Sequence, residues 1–338
     1  MRRRVERALQ AVWYGSRPPP WPLRVLSRGY GWAINRSRPT TQPKLPVIVV
    51  GSVVAGGGGK TPTVIALVKA LQAHHWRVAV LSRGYGRRGR GLRLVQAGDD
   101  PRWLGDEPVL IAERTGAKVW VCADRYRGLQ AAIEAGAEVV VADDGLQHQG
   151  LPRSFECCVV AGQRGLGNAQ LLPAGPLRQP ASRLRSVDQL LVQGGDAEAM
   201  AQALGVARAR CHGLYRRALG LRRLDNDERE AADYLSGTSV TLMTGIADPE
   251  GFANTLQSLG MDVAAQRRFA DHHRYRAQDL QGLSGPIVVT EKDAVKLKQV
   301  AVKADLWVLM SEMVLPDAMI EQVMGHVRNF RQEGAGDD

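Results

Sequence analysis

The chain has 338 residues, 44% of them apolar, with a formal net charge of +11 and four cysteines. That length gives room for two ordinary domains or one large one, and the composition excludes a disordered chain. No apolar run reaches the roughly 18 residues that a spanning helix needs, and Cys122, Cys157, Cys158 and Cys211 lack disulfide or metal-ligand spacing, so they read as buried or free thiols of a reducing cytoplasm.

The charge is concentrated at the start. Residues 1–40 hold nine Arg and one Glu, a net +8, which leaves the remainder close to neutral. A nucleic-acid binder spreads basic residues over its working face, so no nucleic-acid partner is expected. Trp13, Tyr14, Trp21, Tyr30 and Trp32 stand among these arginines, with Leu23, Val25 and Leu26 between them. That mixture suits the headgroup layer of an anionic membrane; an amphipathic helix covering a core, with solvated arginines, is the alternative. No apolar h-region precedes Pro18-Pro19-Pro20, so no signal peptide is expected.

Leu45-Pro-Val-Ile-Val-Val-Gly51 reads as a buried parallel strand, followed by a Gly-rich turn and a helix from about Thr61 to His74. Strands are predicted at Val78–Leu81, Val119–Cys122 and Val139–Ala142, with a helix over Arg127–Ala135 between the last two. The alternation implies a parallel α/β sheet with helices on both faces. Residues 150–185 look irregular, Leu190–Val192 reads as a further strand, and the charged stretch up to Glu230 reads as a connection. A second, smaller α/β series follows: strands at Val240–Met243, Ile287–Thr290 and Leu306–Leu309, and helices over Pro249–Leu259 and Pro316–Phe330.

The strongest motif is Gly56-Gly57-Gly58-Gly59-Lys60-Thr61 at the first strand-to-helix junction. Successive backbone N–H groups and a helix N-terminus there cradle phosphates, Lys60 reaches the β- and γ-phosphates, and the Thr61 hydroxyl ligates Mg²⁺. Val54 stands where the strict pattern has Gly, so the loop is a variant. Asp143-Asp144, at the carboxyl end of a buried strand, suits a metal-holding Walker B position, although Asp-Asp-Gly is also turn chemistry. Gly105-Asp106-Glu107-Pro108 reads as ordinary helix capping. Asp271-His272-His273 offers a carboxylate–imidazole base, with a metal trio as the rival reading, although Cys and Glu partners at ligand spacing are lacking. Tyr85, between two glycines, either contacts substrate or packs.

Together these stretches resemble the tetraacyldisaccharide 4′-kinase family of the Gram-negative lipid A pathway. The similar segments are Val50-Gly51 with the Gly-rich loop, Ser82–Gly86, Gly105–Pro108, Asp143–His148, Leu171–Arg178, Asp271–Tyr275 and Thr290–Lys296, in the family's order. The resemblance implies an ATP- and Mg²⁺-dependent kinase that phosphorylates the 4′-hydroxyl of a lipid disaccharide 1-phosphate. It implies that Asp106 and His272 activate that hydroxyl, that Lys60, Thr61, Asp143 and Asp144 serve phosphate and metal, and that Tyr85, Glu107, Arg125 and Arg178 contact substrate or phosphate. Ser52, Gln179 and Ala270 stand where the family usually has Asn, Glu and Pro.

The resulting map is a membrane-surface segment (1–40), a P-loop kinase domain (41–205), an interdomain connection (206–230), a smaller C-terminal α/β domain (231–330) and a tail (331–338). The expected place is the cytoplasmic face of the inner membrane, with no obligate protein partner evident. The alternative function is a P-loop NTPase that couples hydrolysis to conformational change at the membrane. It would carry a guanine-reading loop, of which Glu291-Lys292-Asp293 has only a partial look.

Overall fold

The computed structural model describes residues 2–34, 42–56, 58–300 and 304–334. Gly57, residues 35–40 of the expected surface segment and residues 335–338 of the expected tail lie outside the described residues. Two helices, α1 (Arg2–Tyr14) and α2 (Trp21–Ile34), come first. The first half continues as β1 (Val47–Gly51), α3 (Lys60–Ala73), β2 (Val78–Ser82), β3 (Arg93–Val95), α4 (Pro101–Leu104), α5 (Asp106–Thr115) and β4 (Lys118–Val121). It ends with α6 (Arg125–Glu134), β5 (Val139–Asp143), β6 (Phe155–Ala161), β7 (Gln189–Gln193) and α7 (Ala197–Leu204). The second half comprises β8 (Cys211–Arg223), β9 (Arg229–Glu230), β10 (Ser239–Thr244), α8 (Pro249–Ser258), β11 (Asp262–Arg268), β12 (Ile287–Thr290), α9 (Glu291–Leu297), β13 (Leu306–Val314) and α10 (Asp317–Gly334).

The strands form one sheet in the order β11-β10-β12-β13-β8-β7-β6-β1-β5-β2-β4-β3, with β9 beside β8. Its pairs are parallel except β3 with β4 and β8 with β9 and β13. β1 lies between β5 and β6, and Val50 is in register with Asp143. The chain therefore departs to both sides of β1, and the crevice outside its carboxyl end is where an open α/β sheet binds ligands. Fully buried strands such as Val47–Val50 read as continuous apolar runs because helices cover both faces. Leu67, Val68 and Leu71 of α3 pack on one face, with Met319, Val323 and Val327 of α10 in the same core. Leu129 and Ala132 of α6 pack on the other. The second half has its own two layers, one centred on Leu242, Leu256 and Val288, the other on Val289, Leu297 and Val308.

The charged stretch 206–230 is largely strand. The first residues of β8 pair with β7, whereas Tyr215–Arg223 pair with β13, so this one strand carries the sheet from one half into the other. Its charges have cross-strand partners: Arg217 Nε donates to Glu312 Oε1 at 2.9 Å. β6 lies in the stretch expected to be irregular. Its core Cys157-Cys158-Val159-Val160 is completely buried, and the surrounding Gly- and Pro-rich loops mask it in the sequence. β11 escapes a period-2 reading because it is an exposed edge, protected by Asp262, Arg267 and Arg268.

Leu191, fully buried on β7, tests whether the sheet's middle carries the stability. Leu191→Ala is expected to lower the unfolding free energy by about 2–5 kcal/mol in denaturant titrations; a change near zero would remove β7 from the cooperative core.

Candidate active site

The phosphate loop follows from the strand that feeds it. β1 ends at Gly51, the loop turns through Gly56 and Gly58, and α3 starts at Lys60. Gly59 caps that helix in the left-handed region, with φ 82° and ψ 13°, where a Cβ would fall 2.1 Å from Gln193 Oε1. Lys60 Nζ folds back onto the carbonyl oxygen of Gly56 at 3.2 Å and lies 3.7 Å from Asp144 Oδ1. Thr61 is buried in the first turn of α3.

Because β1 and β5 are neighbours, Asp143 and Asp144 emerge beside this loop. Asp143 is 2% exposed, and its Oδ1 has no hydrogen-bond partner among the described residues. Burial, reinforced by the charges of Glu107 and Asp144, pushes its carboxyl up to about 7. Burial would also raise Asp144, but Lys60 and Arg178 outweigh it and hold that carboxyl below its ordinary value. Arg178 Nη1 donates to both Asp144 oxygens at 3.1 and 2.8 Å. Arg125 lies beneath, 2% exposed, donating to the carbonyl oxygens of Cys122 (3.2 Å) and Asp143 (3.0 Å). Burial lowers its guanidinium to about 10.

A second cluster joins the two halves. Asp106 opens α5, and His272 Nδ1 lies 3.0 Å from both of its carboxylate oxygens. Asp106 Oδ1 also accepts the Glu107 N–H at 3.1 Å. Lys292 and Lys296 of α9 each place Nζ 3.9 Å from Asp106 Oδ2. Burial opposes charge on Asp106, yet His272 and the two lysines hold its carboxyl far below the ordinary range. Burial likewise opposes protonation of His272, but the hydrogen bond to Asp106 prevails and raises its imidazole. Tyr85 is exposed and sets its ring 5.1 Å from that of His272, between Gly84 and Gly86, both with positive φ. Asp144 (φ 49°) and His272 (φ 59°) occupy the left-handed region without being glycine, as do His75, Ala169 and Asp227 elsewhere.

The family described as tetraacyldisaccharide-1-P 4′-kinase matches residues 20–328. The chain belongs to that family. It is 44% identical over 302 residues to the tetraacyldisaccharide 4′-kinase of Xanthomonas axonopodis pv. citri, covering 86% of this chain and 87% of that one. The corresponding enzyme of Stenotrophomonas maltophilia is 42% identical over 306 residues, covering 85% and 87%. The crystal structure of LpxK from Aquifex aeolicus in complex with ATP shares 26% identity at a TM-score of 0.72, covering 90% of this chain and 97% of that chain. The chain is therefore a lipid-disaccharide kinase of lipid A biosynthesis, and the hydrolysis-coupled alternative falls behind.

Within this family frame, the residues singled out in the sequence form two groups. Gly56, Gly58, Gly59, Lys60, Thr61, Asp143, Asp144 and Arg178 surround the phosphate loop, and Asp106, Glu107, His272 and Tyr85 meet at the junction of the halves. Arg125 contacts main chain rather than open space. The sequence pattern gave no role in the site to Lys292, Lys296 or Asp293. The four-residue spacing of the two lysines, which puts both on one helix face, was the available signal. Asp293 is completely buried and accepts hydrogen bonds from the hydroxyls of Thr244 (2.7 Å), Thr290 (2.7 Å) and Tyr275 (2.8 Å) and from Gly245 N–H (3.2 Å). Its carboxylate is thus engaged inside the fold, in keeping with discounting Glu291-Lys292-Asp293 as a base-reading loop.

Removing that carboxylate would strand several buried donors and leave the neighbouring Lys296 with Asp106, 3.9 Å away, as its remaining counter-charge. Asp293→Ala is expected to cost roughly 3–5 kcal/mol of stability in denaturant unfolding; a loss below about 1 kcal/mol would show that the network relaxes without it.

Proposed function

We propose that the chain transfers the γ-phosphoryl group of ATP to the 4′-hydroxyl of tetraacyldisaccharide 1-phosphate, with the Asp106–His272 pair as the base. The observation that carries this reading is the 3.0 Å contact between Asp106 and His272, 166 residues apart in sequence, in a chain whose first half also holds a phosphate loop. The backbone of Gly56 to Gly59 and the N-terminus of α3 receive the triphosphate, and Lys60 leaves the Gly56 carbonyl to contact it. Gly57 belongs to this loop by sequence. The pair withdraws the hydroxyl proton as the oxygen attacks the γ-phosphorus in line with the departing ADP oxygen. Asp106 and His272 titrate as one unit, and His272, raised and partly exposed, is its more basic member. Tyr85 and Glu107 border the acceptor. Arg178 offsets phosphate charge from the other side, and Arg125 braces the carbonyl end of β5.

The donor set fits Mg²⁺. No group of three His, Cys, Asp or Glu suited to a metal occurs among the described residues, but Mg²⁺ with a nucleotide takes only one or two carboxylates, the rest being water and phosphate oxygens. The unpartnered Asp143 Oδ1 would supply such a ligand, and Asp143, Asp144 and the Thr61 hydroxyl would hold the ion. When bound, it neutralises charge on the β- and γ-phosphate oxygens.

The lipid acceptor explains the N-terminal segment. Trp21 is 70% exposed and Trp32 67%, with Val25 and Leu26 also outward, on a helix rich in neighbouring arginines. No helix among the described residues is long and apolar enough to cross a membrane. The reading is peripheral contact with an anionic surface at the cytoplasmic face of the inner membrane. In this proposal the first and last halves act as two domains that close on the reacting groups.

The decisive assay follows label from γ-labelled ATP into tetraacyldisaccharide 1-phosphate in detergent micelles. Lys60→Ala is expected to lower kcat roughly 10²–10³-fold; wild-type turnover would overturn the assignment. The pH dependence has a defined sign. A protonated pair cannot accept the hydroxyl proton, and His272 is held above its ordinary value. kcat/KM should therefore rise with pH and level off only above about 6.5, with the limb lost in His272→Gln. A flat profile in the wild-type protein would remove the pair from proton transfer.

A further inference from the structure

Lys292 stands where the two halves of the chain meet. Its ammonium lies 2.9 Å from Glu107 Oε1, 3.0 Å from Asp271 Oδ1 and 3.9 Å from Asp106 Oδ2. Two of these carboxylates open α5 in the first half; the third sits in the loop that carries His272. Asp271 in turn accepts the His272 backbone N–H at 3.0 Å and places Oδ2 3.7 Å from His272 Nε2. The contacts therefore close a ring: Lys292 to Asp271 to His272, and back through Asp106 and Glu107. The lysine side chain is mostly withdrawn from solvent. Burying an ammonium is costly unless it is paired, and three carboxylates from two separate segments supply the pairing only while α5 and the His272 loop lie together.

We propose that Lys292 is a positioning residue for phosphoryl transfer, an ionic clamp that holds the N-terminus of α5 against the His272 loop so that Asp106 and His272 act on the acceptor as a unit. The proposal rests on reading that pair as the base. Every charged neighbour of the pair has a defined sign. Asp106 faces His272, Lys292 and Lys296; His272 faces Asp106, Asp271, Lys292 and the ring of Tyr85. Lys292 opposes protonation of the pair, and Asp271 favours it. Removing the lysine should make the pair hold its proton to higher pH, whereas neutralising Asp271 should release it at lower pH. A residue that merely packs would produce no such opposition.

The test is the pH profile of the full chain, using Mg-ATP and tetraacyldisaccharide 1-phosphate in micelles, for wild type, Lys292→Met, Lys292→Arg, Asp271→Asn and His272→Gln. Lys292→Met should lower kcat roughly tenfold or more while the KM for ATP changes by less than about twofold. Its acid limb should move up by roughly one pH unit, and that of Asp271→Asn should move down. Lys292→Arg, which keeps the charge, should restore most of kcat and the wild-type limb. Folded Lys292→Met with wild-type kcat and an unmoved limb would overturn the clamp, as would both variants shifting the limb in the same direction. If Lys292→Met does not fold, Asp271→Asn decides, and an unmoved limb there overturns the proposal. His272→Gln separates the two levels. A limb that survives in it shows that the base assignment has failed; a limb lost in it but unmoved by the other variants shows that only the clamp has.

Discussion

The contact on which the site depends is the one between Asp106 and His272. Neither residue has a strong signature of its own: Asp106 sits in a helix-capping sequence and His272 in an isolated Asp-His-His. Their 3.0 Å approach joins the start of α5 to a loop beyond the long shared strand β8. It places an imidazole of the second half against a carboxylate of the half that holds the phosphate loop. The burial cost of the Asp106 carboxylate is offset by an imidazole and two ammonium groups, all from the second half. The carboxylate thus stays ionised because the halves are together, and the alignment of the halves in turn draws on that charge.

The phosphate loop shows the complementary arrangement. There the carboxylates outnumber what their cations can satisfy. Asp144 is held by Lys60 and Arg178, but Asp143 is buried with an oxygen unpartnered and its carboxyl pushed upward. An orphan buried carboxylate is an expensive feature in a finished core. It is consistent with a site whose last partner arrives with the nucleotide. Arg125 fits the same economy of charge: a guanidinium buried under the strand end, spent on two main-chain carbonyls, fixes where β5 delivers its pair of acids.

The parts legible in the sequence were those governed by local rules. Apolar β-branched runs gave the central strands, and the Gly-rich junction gave the phosphate loop. The parts that escaped depend on pairing between distant segments. β8 carries Arg216, Arg217, Arg222 and Arg223 and looked like a solvated connection; its identity as strand comes from partners on β7 and β13. β6 was hidden because its surroundings are rich in Gly and Pro, although Cys157–Val160 is as buried as β1. In the site, Lys60 and Asp143-Asp144 were readable from position after a strand. Lys292 and Asp293 were not, because a lysine and an aspartate in a short helix acquire meaning only from the carboxylates and hydroxyls that a remote loop brings to them.

The N-terminal helices are tied to the phosphate site. Several of their hydrogen bonds reach one loop: Trp13 Nε1 donates to the carbonyl oxygen of Pro173, Ser27 Oγ to that of Leu171, and the Tyr30 hydroxyl to that of Arg178, while Gln149 Nε2, from another loop, donates to the Ile34 carbonyl oxygen. Arg178 is also the residue whose guanidinium holds Asp144. The helix that turns Trp21, Val25, Leu26 and Trp32 outward is therefore one residue away from the charge network of the phosphate loop. A loop seldom has rigid support of its own, and here the support comes from the helices proposed to meet the lipid surface. The loop that carries Arg178 is thus tied both to Asp144 and to α2. On the proposed peripheral reading, this tie would keep the exposed face of α2 and the phosphate site in one relation as the acceptor headgroup reaches the reacting phosphate.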